Sequence, residues 1–276
     1  MSNFTSDELL VGIAGLRFRL YCPDSALMER LAHLYRPFLV PPDDQPPHLV
    51  AEVVLTSPLA VGAPVEPALR FEHGRLHLNG PGTQGWVDAA GGVGRLVLNT
   101  PYAVAHVEHF LRASCALVTF ETGGLLIHAA GVVRHGRAHL FFGPSGSGKT
   151  TVARFAGADD TVLSDDLVVI CPQENGWRAY ATPFVSSAGQ WAFRPTSARV
   201  ASLFRLVQSD RVAVVPLSPA RAVAELVANA PVVCADPSRS APLLHRCVQL
   251  ATQIPPHALL FRHEPSFWNA VDKIPR

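Results

Sequence analysis

Gly143-Pro144-Ser145-Gly146-Ser147-Gly148-Lys149-Thr150 decides how this chain is read. It matches G-x-x-x-x-G-K-[ST] in full and lies between the apolar run 138–142, which reads as a strand, and the helical pattern 149–156. Glycines let successive backbone N–H groups turn inward as an anion nest, and the following helix start aims its partial positive charge at the same point. In such a nest Lys149 contacts the β- and γ-phosphates of a nucleotide and the Thr150 hydroxyl ligates Mg²⁺. A plain glycine-rich turn that happens to precede Lys-Thr is the alternative. Lysine usage bears on that choice: of 23 basic residues only Lys149 and Lys273 are lysine, and the rest are arginine. A compact ammonium on a flexible stem suits a tight phosphate pocket where a broad planar fork fits badly.

Two features near the nest carry further chemistry. Asp165-Asp166 follows an apolar strand, 22 residues after Gly143, with apolar runs on both sides. Two adjacent carboxylates are costly near a core unless they meet a cation. One can serve Mg²⁺, and the other can accept a proton from an attacking hydroxyl; a solvated turn is the competing reading. Asp159-Asp160 sits in a polar turn and is assigned to solvent. His128, in Leu126-Ile127-His128-Ala129-Ala130-Gly131, interrupts an apolar strand 15 residues before the nest, where a lone histidine is ordinarily a satisfied core residue.

Further out, 125–133 reads as a strand, 134–137 as a tight turn, and 161–163, 167–170, 177–180, 201–207, 212–216 and 258–262 as β-type runs. Helical patterns cover 219–228 and 242–253, and another begins at Pro265. Upstream, 8–21 reads as one strand and 26–35 as a helix. Apolar runs at 49–55, 69–71, 76–78 and 93–98 suggest an antiparallel meander, and Thr100-Pro101 opens a helix to about Phe120. A boundary near 121 separates an α+β region at 1–120, antiparallel sheet plus helices, from an α/β nucleotide-binding domain at 121–276.

Hydrophobic residues make up 48% of the 276 and charged residues 16%, which excludes a disordered, charge-driven chain. A net charge of +1 gives no bulk attraction to nucleic acid or anionic membrane. No apolar run approaches the roughly 18 residues of a membrane span, and MSNFTSDELL lacks the features of a secretion signal, so a cytoplasmic chain is expected. Five scattered cysteines without a CxxC pair argue against a disulfide framework or zinc cage.

A histidine on the strand before a hairpin, G-x-S-G-x-G-K-[ST], then an acidic pair ending the next strand: in this order the residues resemble the HPr serine kinase/phosphorylase family. The short HPr-kinase-like proteins encoded beside peptide-modifying biosynthetic genes look closer still. The similarity covers about 121–172 well and the rest in general pattern. It implies a P-loop kinase domain of the HPr kinase/phosphoenolpyruvate carboxykinase type, with a smaller α+β N-terminal part. It further implies that Gly143, Pro144, Ser145, Gly146, Ser147, Gly148, Lys149, Thr150 and Thr151 hold ATP, with Thr150 and Asp166 on Mg²⁺. Asp165 would be the catalytic carboxylate and His128 its partner. The implied activity is ATP- and Mg²⁺-dependent transfer of the γ-phosphate to a hydroxyl, a serine of a peptide or small protein, by a homo-oligomeric enzyme. Thr151 stands where many bifunctional members carry an acidic residue, and no match to the phosphorolysis signature is found, so the reverse reaction is not implied. A small-molecule kinase for free serine or a sugar, and a nucleotide-binding regulatory module without turnover, are the other readings.

Weaker candidates are Arg194 and Arg239, placed in loops, where either could brace a phosphoryl group. The loop 182–189 could cover the acceptor. His106-Val107-Glu108-His109 has metal-like spacing but no third ligand nearby, and reads as a solvated helix face. Phe261, Phe267 and Trp268 are assigned to the core.

Overall fold

The structure is a computed structural model, described here for residues 7–41, 43–57, 65–184, 186 and 194–274. The chain is mixed α/β and divides into two compact units, Met1–Thr122 and Gly123–Arg276. Among the described residues no helix is long and apolar enough to cross a membrane.

The first unit holds β1 (Glu8–Ile13), β2 (Leu16–Tyr21), α1 (Ser25–Leu34), β3 (Leu49–Leu55), β4 (Ala68–Glu72), β5 (Arg75–Gly80), β6 (Thr83–Asp88), β7 (Val93–Leu98) and α2 (Ala103–Glu121). The stretch read as one strand at 8–21 is a hairpin, because Ala14 and Gly15 both take positive φ (54° and 80°) and reverse the chain. Asp24 caps α1, its Oδ1 accepting the Leu27 N–H at 2.7 Å. The seven-stranded sheet runs β1-β2-β3-β7-β6-β5-β4. It corrects the antiparallel reading: β4 to β7 form the antiparallel meander, but β2–β3 and β3–β7 are parallel. The helical segment α1 carries the chain from β2 back to start β3 in the same direction, as parallel pairing requires. Phe110 of α2 sits on Gly94 of β7 so closely that a Cβ there would lie 2.9 Å from its Cζ.

The second unit holds β8 (Leu125–Arg134), β9 (Arg137–Phe142), α3 (Lys149–Arg154), β10 (Thr161–Ser164), β11 (Leu167–Gln173), β12 (Gly176–Tyr180), β13 (Ser197–Gln208), β14 (Ala213–Pro216), α4 (Pro219–Ala228), α5 (Ser240–Gln253), β15 (His257–Phe261) and α6 (Trp268–Val271). Pairing runs β8–β9–β13–β12–β11 and back to β8, so five strands close on themselves and leave no free edge in that ring. Strands β9, β13 and β15 are mutually parallel and end together at the glycine-rich loop. Phe141, Phe204, Phe261, Phe267 and Trp268 form the aromatic core beneath it, with Phe141 and Phe204 stacked at 5.3 Å. Each such ring contributes about 2–3 kcal/mol by leaving water.

Asp160 is not a solvent residue. Its side chain is 4% exposed and accepts from Arg134 Nη1 at 3.0 Å, and Arg134 also grips Asp272 through Nε and Nη2, both at 3.0 Å. Asp159 is exposed. Arg134→Met strands a buried carboxylate and is expected to cost about 3 kcal/mol, read from urea midpoints. The Arg134 guanidinium holds the Asp272 carboxyl below its ordinary value of 3.8. A depressed carboxyl pKa stabilises above the unfolded value and stops doing so as pH falls through the folded one. The Asp272 share of the difference between variant and wild type is therefore expected to shrink below about pH 4.

Candidate nucleotide and phosphoryl-transfer site

Register brings the site together. On β8, His128 stands opposite Leu167 of β11, and Gly131 opposite Ser164 of β10, so β10 and β11 run along β8 as one strand interrupted only by Asp165-Asp166. On the other side of β8, Ala129 pairs with Phe142, the last residue of β9. The chain leaves the sheet at Gly143, level with His128, and the N–H of His128 donates instead to the Asn229 carbonyl at 2.8 Å, just past α4. Three neighbouring strands thus deliver the glycine-rich loop, the histidine and the acidic pair to one place.

The loop itself needs its glycines. Gly143, Gly146 and Gly148 have φ of 151°, 76° and 107°. A Cβ on Gly148 would lie 2.5 Å from the Phe261 ring, which is the floor of the loop, whereas around Gly146 there is open space. Gln208 Nε2 donates to the Gly146 carbonyl at 2.7 Å and pins the crest. Pro144, Ser145 and Gly146 are exposed, and Ser147 and Lys149 are buried. Lys149, 8% exposed, donates through Nζ to the carbonyls of Gly143 (2.8 Å) and Pro144 (3.2 Å), leaving a third N–H for a ligand. Burial holds its ammonium below the ordinary lysine value of 10.5, and the negative charge of Asp166 opposes that shift. Thr150 and Thr151 follow Lys149 in the first turn of α3, where the first amides lack intrahelical acceptors.

The break in the strand is held by hydroxyls. Ser164 Oγ accepts the N–H groups of Asp166 and Leu167, both at 3.1 Å, and donates to the Phe184 carbonyl at 2.9 Å. Thr182 Oγ1 donates to the Leu167 carbonyl at 2.5 Å. Asp165, 1% exposed, turns inward: Oδ1 accepts the Ser186 N–H at 3.1 Å and Oδ2 the Ser186 hydroxyl. Ser186 Oγ lies 3.3 Å from Thr150 Oγ1, so one hydroxyl bridges the nest threonine and the buried carboxylate. Asp166 turns the other way, its Oδ1 3.2 Å from His128 Nε2.

That last contact corrects the expected pairing of His128 with Asp165. The two aspartates sit in the bend between β10 and β11 and diverge there; the one that meets His128 is Asp166, and the one that meets Thr150 through Ser186 is Asp165. Ser164 and Gln208 escaped the sequence reading, and Thr182 and Ser186 entered it only as part of the loop 182–189; the hydroxyl directly before the acidic pair could have signalled Ser164. The possible acceptor cover at 182–189 is described only as far as Phe184 and at Ser186, and the remainder lies outside the described residues.

Of the weaker candidates, Arg239 is committed to the nearly buried Asp236 and Arg194 is exposed. The solvated-face reading of His106 fails: it is 2% exposed, burial lowers its pKa, and its Nδ1 has no hydrogen-bond partner among the described residues. Among those residues no group of three His, Cys, Asp or Glu is placed to hold a metal. The residues fit a triphosphate: Ser147 Oγ is buried without a partner among the described residues, the three glycines keep the approach clear, and no carboxylate lies within the loop.

Comparison with curated proteins finds no match. The family described as SynChlorMet cassette protein ScmC matches residues 108–276, which is more than half of the chain and takes in every residue of this site, and the chain belongs to that family.

Proposed function

We propose that the chain is an ATP- and Mg²⁺-dependent kinase that phosphorylates a hydroxyl, with a serine of a peptide or small protein as acceptor, and that its second unit is a P-loop kinase domain of the HPr kinase/phosphoenolpyruvate carboxykinase type. The observation that carries this reading is that three adjacent strands and the loops they lead into bring Lys149 and Thr150 together with Asp165, Asp166 and His128. A phosphate nest alone serves many chemistries; a nest faced by two carboxylates of different environment serves phosphoryl transfer, which is mostly positioning and charge neutralisation.

Residues 143–150 hold the triphosphate, and Lys149 places its charge on the outer phosphates. Mg²⁺ would be held by Thr150, with Asp165 on the same side through Ser186, and would supply neutralisation of phosphate charge. Asp166 takes the proton of the incoming hydroxyl, and His128 fixes the orientation of that carboxylate. This division reverses the roles that the resemblance implies for the two aspartates, and the support for it is the His128–Asp166 contact.

The test is ADP release from Mg-ATP with serine-containing peptides, free serine and sugars as acceptors, with the phosphorylated product identified by mass. Acceptor-dependent ADP release supports the reading. Tight ATP binding without ADP release under every acceptor points instead to a regulatory module.

A further inference from the structure

A cavity of about 470 Å³ lies at the end of β9 and β13 away from the glycine-rich loop. Strand β9 begins there at Arg137 and ends at the glycine-rich loop, a separation of roughly 17 Å at the rise of an extended strand. Arg137 and Arg199 both line the cavity and are register partners on the parallel strands β9 and β13. On the far side of Arg199, its partner on β12 is Arg178, which donates to the Ser197 hydroxyl at 3.1 Å. Like charges set side by side across strands destabilise a sheet. Among the described residues neither Arg137 nor Arg199 has a carboxylate partner, and no carboxylate lines this cavity. Glu174 lines only the adjoining hollow with Arg178 and Arg199.

Two further wall residues are unsatisfied. Trp177 is 2% exposed and its buried Nε1 has no partner among the described residues; the same holds for Nδ1 of His257. Buried polar atoms without hydrogen-bond partners are rare in folded proteins and call for an explanation. Val200 and Ile254 supply apolar wall, and Ser202, 2.7 Å from His139 Nδ1, supplies a hydroxyl. The volume falls in the range of small-molecule sites.

We propose that this cavity is a binding site for a small organic anion whose phosphate or carboxylate group bridges Arg137 and Arg199. An anion removes the repulsion between the two guanidinium groups through charge-assisted hydrogen bonds, and its body lies against Trp177 and Ile254. The site is separate from the glycine-rich loop and does not depend on the kinase reading.

The experiment is thermal unfolding of the full chain with inorganic phosphate, glycerol 3-phosphate or succinate, for wild type, Arg137→Met, Arg199→Met and Lys149→Met. At about a hundredfold excess over Kd a ligand of this site raises Tm by about 5–10 °C. The rise is expected in wild type and Lys149→Met and lost in both arginine variants, whose unliganded Tm stays level or rises. A response to glycerol 3-phosphate alone identifies a phosphate ligand, and to succinate alone a carboxylate. No response to any probe, an equal response in Arg199→Met, or a response abolished by Lys149→Met overturns the proposal.

Discussion

Lys149→Met is expected to lower kcat/KM for ATP on the order of 10³-fold and to remove most of the heat of Mg-ATP binding in calorimetry. The Lys149 Nζ sits on the loop carbonyls of Gly143 and Pro144 and keeps one N–H for a phosphate oxygen. Lys149→Arg is expected to rescue little: the side chain is buried against its own loop, and a planar fork cannot occupy the place of a compact ammonium there. Because burial depresses the Lys149 pKa, its charge is lost as pH rises through a value below the ordinary 10.5. Mg-ATP affinity is expected to weaken on the alkaline side before a free lysine would titrate, and that limb should be absent in Lys149→Met. An unchanged affinity in the methionine variant contradicts the nest.

Asp166→Asn is expected to slow transfer by about 10²–10⁴-fold while Mg-ATP binding stays near that of wild type. The amide keeps the size of the side chain and its contact with His128 but cannot take a proton from the acceptor. Asp165→Asn is expected to act differently, raising the Mg²⁺ concentration needed for half-maximal rate by about 10–100-fold, because Asp165 reaches the metal side through Ser186 and Thr150. The two variants separate on one readout: rate at saturating Mg²⁺ recovers in Asp165→Asn and does not in Asp166→Asn. The reverse pattern would return the base to Asp165, the role that the family resemblance implies. Ser186→Ala serves as a control, expected to follow Asp165→Asn in direction.

Local signals made much of the second unit legible. The nest is a contiguous motif, and α4 falls at the expected 219–228 because Ser218-Pro219 marks its start. What escaped notice depends on partners far away in the chain. Asp160 looked like turn solvent because Arg134 is 26 residues upstream. The hairpin at Ala14-Gly15 was hidden inside an apolar run, since a single glycine between strands gives little contrast. Strand β6 was passed over because Gly85 reads as a break; in the sheet it is a close approach, where a Cβ would lie 2.9 Å from Leu96 Cδ1. The parallel pairings of β3 follow from chain return and not from composition.

At the site, residue types were legible and orientations were not. Motif order put two carboxylates with the glycine-rich loop, but which of them faces His128 depends on the register of β10 and β11 along β8 and on Ser164 holding the break. Neither is a local property. The same holds for the arginine row on β12, β13 and β9, where residues distant in sequence become neighbours only through strand pairing.

The most direct measurement is a crystal structure of the chain grown with Mg²⁺ and a non-hydrolysable ATP analogue. Its triphosphate is expected on the amides of 143–150, with Lys149 Nζ on the outer phosphates, Asp166 turned toward the terminal one and Asp165 on the Thr150 side. An analogue bound elsewhere, or a terminal phosphate that neither aspartate faces, would contradict phosphoryl transfer at this site.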